Sequence, residues 1–316
     1  MIDASGSGNA KRNGHAKSNG HAKSNGHAKS NGHANGNGNG HANSKSFEVR
    51  ILRQDSPGQP SYWERHRVEQ QPDMNVISVL QSIAAQAKTA DGQAVAPVAW
   101  DCNCLEEVCG ACTMVINGRV RQACSAIVDR LLKDNPQQIE LRPMSKFPVI
   151  RDLTVDRSRM FSALSRVKAW VNADGYYDMG PGPRVPRSDQ EQIYPLSQCM
   201  SCGCCLEACP QYTKVEILRK PEETDEQLEE RKQEAYSTAF LGPHAISQAV
   251  LFNMNPVGKA QANDRLDELS GPGGIQICGN AQNCVAVCPK EIPLTTSIAR
   301  AGRATTVHAF KKWFDR

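Results

Sequence analysis

The stretch "CLEEVCGACTMVINGRVRQAC", Cys104 to Cys124, decides how the first half of the chain folds. Its second part reads as a β-hairpin, with "TMVI" and "RVRQ" flanking Asn117-Gly118, a dipeptide suited to a type I′ turn. Its first part spaces three thiols as C-x4-C-x2-C, and the hairpin can return a fourth, Cys124, to the same place. That is the plant-type spacing of a [2Fe–2S] cluster. Two irons bridged by two sulfides take four thiolates, two per iron, and three from one tight loop can wrap the pair. Gly110, inside "CGAC", lets backbone pass close to the sulfides. Cys104, Cys109, Cys112 and Cys124 are the expected ligands. Cys102 would make the first spacing C-x6-C and is expected to stand by without binding. The rival is zinc, which usually pairs C-x2-C with a second such pair or with histidines. Here there is one C-x2-C and no histidine near it.

Outward from this stretch, "FEVRILR" and "HRVEQ" alternate as strands do, and "VISVLQSIAAQAKTA" spaces its apolar residues as an amphipathic helix. "QIELRPM" reads as another short strand. Two hairpins, one crossing helix and a cysteine-rich loop predict a small β-grasp domain over residues 47–150. Beyond it, "DRSRMFSALSRVKAWV", "ETDEQLEERKQEAYSTAF", "HAISQAVLFNM", "NDRLDELS" and "PLTTSIARAGRATTVHAFKKWF" read as helices, the second of them charged and solvent-facing. "NADGYYDMGPGPRVPRSDQ" reads as loop. The predicted class is α+β, a β-grasp plant-type ferredoxin domain followed by an all-α, bacterial-ferredoxin-like helical domain over 151–316.

That second part carries two further cysteine runs. "CMSCGCCLEACP" is a full C-x2-C-x2-C-x3-C-P, made by Cys199, Cys202, Cys205, Cys209 and Pro210. In two-cluster ferredoxins the first three thiols of such a run bind one cluster and the fourth binds the other. Cys199, Cys202 and Cys205 are therefore expected on a [4Fe–4S] cluster with Cys288 from the last run, "CGNAQNCVAVCPK". Cys209 would join Cys278 and Cys284 on the next. That last run lacks one thiol, because Ala281 stands at its place. A cubane with an unligated corner readily loses that iron, so the expected group is [3Fe–4S]. The alternative is a [4Fe–4S] cluster with water, Asn280 or Asn283 on the open iron. Cys204 is out of phase with the motif and is expected to be a non-ligand.

The first 46 residues repeat "NGHAKS" and offer nothing to bury, so they are expected to form a disordered tail. The tail holds five of the eight His and carries six Lys/Arg against one Asp; subtracting its +5 from the chain's +4 leaves the remainder near −1. No nucleic-acid partner is expected, since such proteins carry positive charge on folded elements with aromatics between them, and aromatics are 5% here. No apolar run approaches 18 residues and no apolar leader opens the chain, so neither a transmembrane helix nor a secretory signal is expected. Thirteen Cys in such a chain point to metal or redox chemistry rather than to a disulfide framework.

A plant-type loop, a complete bacterial run and an alanine-interrupted one, in that order, resemble the iron–sulfur subunit of succinate dehydrogenase and fumarate reductase, respiratory complex II. The likeness covers residues 47–316, with support from "PVIRDLTVDRS", "FLGPHAISQAVLFN", "DRLDEL" and "CVAVCPKEIPLTTSIA". "WDCNCLEEVCGACTMVING" and "CMSCGCCLEACP" look most like the subtype that works with menaquinone and a two-haem anchor. The resemblance implies an oxidoreductase subunit that is an electron wire with no catalytic acid or base. It implies a flavoprotein partner carrying FAD, a haem-containing membrane anchor, a quinone acceptor, and a peripheral place on the cytoplasmic face of the cell membrane. It also places Pro210, Tyr212, Lys214 and Gly279 near the quinone. Ubiquinone-linked members carry an aromatic pair after the "CP" and a histidine where Gly279 stands, and this chain has neither. Two other functions would fit less of the pattern: an iron–sulfur subunit of another flavoenzyme with a soluble acceptor, or a structural zinc-binding interaction protein.

Overall fold

The computed structural model describes residues 45–172 and 184–314. The tail expected over 1–46 lies outside them except for its end, where Ser46 already pairs with Glu69. The first half is a five-stranded sheet crossed by a helix. Strands β1 (Ser46–Arg53) and β2 (Tyr62–Glu69) form an antiparallel pair, and β1 alternates buried and open residues along its length. Helix α1 (Val76–Gln86) follows, then the hairpin of β3 (Thr113–Ile116) and β4 (Arg119–Gln122), the short helix α2 (Val128–Asp134) and β5 (Gln138–Arg142). The last strand inserts centrally, parallel to β1 and antiparallel to β3, giving the order β2-β1-β5-β3-β4. This is the β-grasp arrangement. Asn117 and Gly118 both take positive φ, 48° and 75°, as the type I′ turn requires.

Helix α1 stops at Ala87, in the left-handed conformation, three residues before the predicted end. At its other end the Asn75 side chain accepts from Ser78 N and donates to the carbonyl of Cys124. One amide thus caps the helix and holds a predicted ligand. Asn75→Ala is expected to cost about 1–2 kcal/mol, a lost cap plus a lost hydrogen bond. Chemical denaturation would measure it, and a change under 0.5 kcal/mol would mean that the cap is dispensable.

A two-stranded hairpin, β6 (Val149–Arg151) and β7 (Thr154–Val155), leads out of the sheet. Its turn residue Asp152 is fully buried and receives both Nε and Nη2 of Arg53, each at 3.0 Å. The same guanidinium donates to Glu64, so β1, β2 and the hairpin share one buried ion network. The helices that follow are α3 (Ser158–Arg166), α4 (Arg187–Ser197), α5 (Cys204–Glu207), α6 (Asp225–Thr238), α7 (Gly242–Met254), α8 (Ala262–Ser270), α9 (Asn283–Ala286) and α10 (Leu294–Phe314). The first of these is shorter than predicted and ends before Lys168, which has φ 45°. Residues 187–190, read as loop, instead open α4, a helix that tolerates Pro195 in its last turn. Within that predicted loop, residues 173–183 lie outside the described residues.

The central helix is α7. Nine of its thirteen residues are buried, so it is apolar all round rather than striped. The second hydrophobic core forms around it and begins already at Met144 and Phe147. The two halves are tied side chain to backbone: Glu207 on α5 accepts from Ser145 N and Lys146 N, both at 2.9 Å. Among the described residues no helix is long and apolar enough to cross a membrane.

Candidate metal centres

The loop from Cys104 to Cys112 turns its amides inward. Leu105, Glu107 and Gly110 have φ of 62°, 55° and 70°. Left-handed residues placed between right-handed ones make a concave nest of N–H groups, which binds anions. Here the amides of Glu106, Val108 and Cys109 reach Cys104 Sγ at 3.4, 3.3 and 3.3 Å, and Ala111 N reaches Cys109 Sγ at 3.4 Å. The Glu106 and Val108 amides push the Cys104 thiol down to about 6, so its thiolate is stabilised before anything binds. Cys112 and Cys124 are buried behind it, and burial pushes Cys124 up to about 11. Cys102 is exposed.

The same backbone device recurs in the other two loops. Ser201 and Gly203 have φ of 51° and 87° between Cys199 and Cys205, and Asn280 and Gln282 have 52° and 62° between Cys278 and Cys284. Each loop opens on its own cavity. One is bounded by Cys199, Cys202, Cys204, Cys205 and Cys288. The other is bounded by Cys209, Cys278 and Cys284, with Ala281 in its wall. So each run sends one thiol across to the other's cavity. Burial raises the Cys199 thiol to about 11 and lifts Cys205, fully enclosed, well above its usual range. Thiols in such surroundings ionise when a cation claims them. Among the described residues no three His, Cys, Asp or Glu converge closely enough to chelate one metal ion. A multi-iron group needs wider spacing, because each terminal thiolate binds a different iron. The donor sets, the amide nests and the separate cavities fit iron–sulfur clusters, which would be the resident cofactors here.

Cys204 is fully buried and lies on the wall of the cavity that Cys288 shares with Cys199, Cys202 and Cys205. Its S–H bonds to Cys202, which holds Cys204 far above the ordinary thiol range and brings Cys202 down to about 7. Gln122, at the end of β4, donates to Cys204 Sγ at 3.3 Å. Arg157, largely buried, donates to the carbonyls of Gly110 and Ala111. Gly110 itself lies against Cys202: a Cβ there would stand 2.7 Å from Cys202 Cα. The loop of the first thiol group therefore lies in contact with that of the second at Gly110 and Cys202.

Of the four residues placed near a quinone, Pro210 lines the three-thiol cavity and Gly279 packs on Gln211, which lines it too. Tyr212 is buried, with the Arg159 guanidinium 3.9 Å from its ring centroid and its hydroxyl without a partner among the described residues. Burial raises that hydroxyl to about 12. Lys214 pairs with Glu216. Two residues of the cavity walls carried no sequence signal. Gln211 is one. The other is His244, whose burial pushes it down to about 4 and keeps the ring neutral.

Residues 48–162 match the family model for a 2Fe-2S iron-sulfur cluster binding domain, and residues 195–292 match that for a 4Fe-4S dicluster domain. The succinate dehydrogenase iron-sulfur subunit of Bacillus subtilis is 46% identical over 270 residues, which is 85% of this chain and 96% of that relative. The chain belongs to the succinate dehydrogenase and fumarate reductase iron–sulfur subunits. The fumarate reductase iron-sulfur subunit of Wolinella succinogenes is 27% identical over 79% of this chain and 93% of its own. In fold, the chain matches a chain of the Mycobacterium smegmatis Sdh1 complex in the apo form, with TM-score 0.62 and 21% identity over 84% of this chain and 98% of that one. An iron–sulfur subunit of this family is part of an oxidoreductase complex, and binding domains for 2Fe-2S and 4Fe-4S clusters are its working parts.

Proposed function

We propose that this subunit carries single electrons from the FAD of a partner flavoprotein through [2Fe–2S], [4Fe–4S] and [3Fe–4S] clusters to a quinone, menaquinone, at a haem-containing membrane anchor on the cytoplasmic face of the cell membrane. Cys104, Cys109, Cys112 and Cys124 hold the first cluster, Cys199, Cys202, Cys205 and Cys288 the second, and Cys209, Cys278 and Cys284 the third. The observation that carries this reading is the exchange of thiols between two separate cavities: Cys288 borders the one lined by Cys199, Cys202 and Cys205, and Cys209 borders the one lined by Cys278 and Cys284. The clusters supply the one-electron carriers. The chain supplies what tunes and connects them: thiolates, inward amides, burial and the Arg157 cation. Contact between Gly110 and Cys202 supports the order of transfer. The β-grasp half would then meet the flavoprotein, where Leu105 and Val108 project half-exposed from the first loop.

The test is EPR of the air-oxidised complex. Oxidised [2Fe–2S] and [4Fe–4S] centres are silent, whereas three ferric ions cannot pair completely. We expect about one spin per chain from the intact protein. Ala281→Cys is expected to convert that centre toward four irons and abolish the signal. Silence from the unaltered, fully loaded protein would overturn the three-iron assignment and favour a subunit of another flavoenzyme.

A further inference from the structure

His244 is 2% exposed and occupies the first turn of α7. It lines the cavity bounded by Cys199, Cys202, Cys205 and Cys288. Nε2 lies 3.0 Å from Ser201 Oγ, and Ser201 sits in the thiol loop itself. Nδ1 is buried with no partner among the described residues. A buried polar atom of this kind is rare in a folded chain and calls for a partner. Ser247, one turn further along α7, lines the same cavity but already bonds to Ser297. Nδ1 is thus a buried donor on this wall without a partner among the described residues.

The two ring nitrogens divide the work. A hydroxyl that donates to Nε2 fixes the proton of a neutral ring on Nδ1. Ser201 Oγ is placed to do this. Nδ1–H is then a donor beside a cavity whose natural filling is anionic. The N-terminal end of α7 adds a partial positive charge of the same sense.

We infer that His244 donates an Nδ1–H hydrogen bond to the four-iron cluster, at a sulfide or a ligating thiolate, and so raises that cluster's reduction potential. His244 is a positioning residue for electrons: it stabilises the reduced, more negative form and takes no part in chemistry. The inference rests on Cys199, Cys202, Cys205 and Cys288 being that cluster's ligands.

The experiment uses the intact complex labelled with 15N-histidine. Pulsed EPR of the reduced four-iron signal is expected to show a 15N coupling. Among the described histidines, His66 and His308 do not line the cavity, so the coupling is assigned to His244 and should vanish in His244→Gln. A redox titration of the same signal should show His244→Gln shifted about tenfold toward the oxidised form, about 59 mV for one electron. His244→Asn keeps an amide donor near the Nδ1 position and should retain most of the potential. Absence of any histidine coupling in the unaltered complex, with the four-iron signal present, overturns the role of His244 while leaving the ligand reading intact. Absence of the four-iron signal overturns both. Should a variant fail to assemble, the coupling in the unaltered complex still decides.

Discussion

Gly110→Ala is expected to break the junction between the first and second thiol groups. Two effects add. Gly110 sits at φ +70°, where a side chain costs about 1–2 kcal/mol. The new Cβ would also lie 2.7 Å from both Cα and Cβ of Cys202, a distance that real side chains do not reach. Neither atom is the tip of a flexible chain, so one of the two ligand loops must move, at a cost of about 1–3 kcal/mol. Together these give a loss of about 2–5 kcal/mol, concentrated where Arg157 and Thr113 fix the carbonyl of the same residue. Gly118→Ala is the control. That glycine has φ +75° with nothing within 4 Å of an added Cβ, so only the backbone cost applies. Chemical denaturation of both variants, with iron and sulfide counted, separates contact from conformation. Equal losses would mean that the approach of Gly110 to Cys202 is not a structural requirement.

The hairpin that carries Cys112 to Cys124 was legible because three signals agree there: alternation, Asn-Gly and thiol spacing. The bacterial run was legible by its thiol spacing, and the structure brings Cys288 beside the cavity of Cys199, Cys202 and Cys205. Other features leave no such mark. The hairpin at Asp152 has strands of three and two residues, too short for a period, and is held by the buried Arg53. The start of the helix over Arg187–Ser197 was hidden by the Gly- and Pro-rich stretch that runs into it, and the helix tolerates Pro195 near its end at the loss of one ladder bond. Tyr212 was placed by its distance from a "CP" motif, and an aromatic ring that can stack under Arg159 is drawn into the core instead. The left-handed residues of the ligand loops were illegible because Leu105, Glu107, Ser201, Asn280 and Gln282 include types that do not announce positive φ. His244 reads in sequence as one polar residue in an apolar helix. Only the orphaned nitrogen beside a cavity distinguishes it from a satisfied core histidine.

Cys288→Ala should remove the four-iron signal and spare the three-iron one. Were each run to hold its own cluster, the same substitution would strike the three-iron centre, so the identity of the lost signal decides between crossed and uncrossed ligation. The cavities support the crossed arrangement proposed above: Cys288 borders the space shared by Cys199, Cys202 and Cys205, while Cys209 borders that of Cys278 and Cys284. It also carries a consequence for stability. A cluster joining Cys205 to Cys288 closes a loop of about 80 residues, and a cross-link of that span lowers the entropy of the unfolded chain by about 4.5 kcal/mol in the loop-closure picture. Two crossed clusters fasten the same pair of segments, so the second closes almost no new loop and adds much less. Losing one should therefore cost less than losing both. Stripping all iron with a chelator should cost the full closure and also free Ser201, Asn280 and Gln282 from backbone conformations that each carry about 1–2 kcal/mol of strain. Thermal denaturation of the complex should then rank the unaltered protein above Cys288→Ala, and Cys288→Ala above the stripped protein. A Cys288→Ala protein that melts with the stripped one would mean that the three-iron centre fastens nothing by itself, and that the two runs are held together through Cys288 alone.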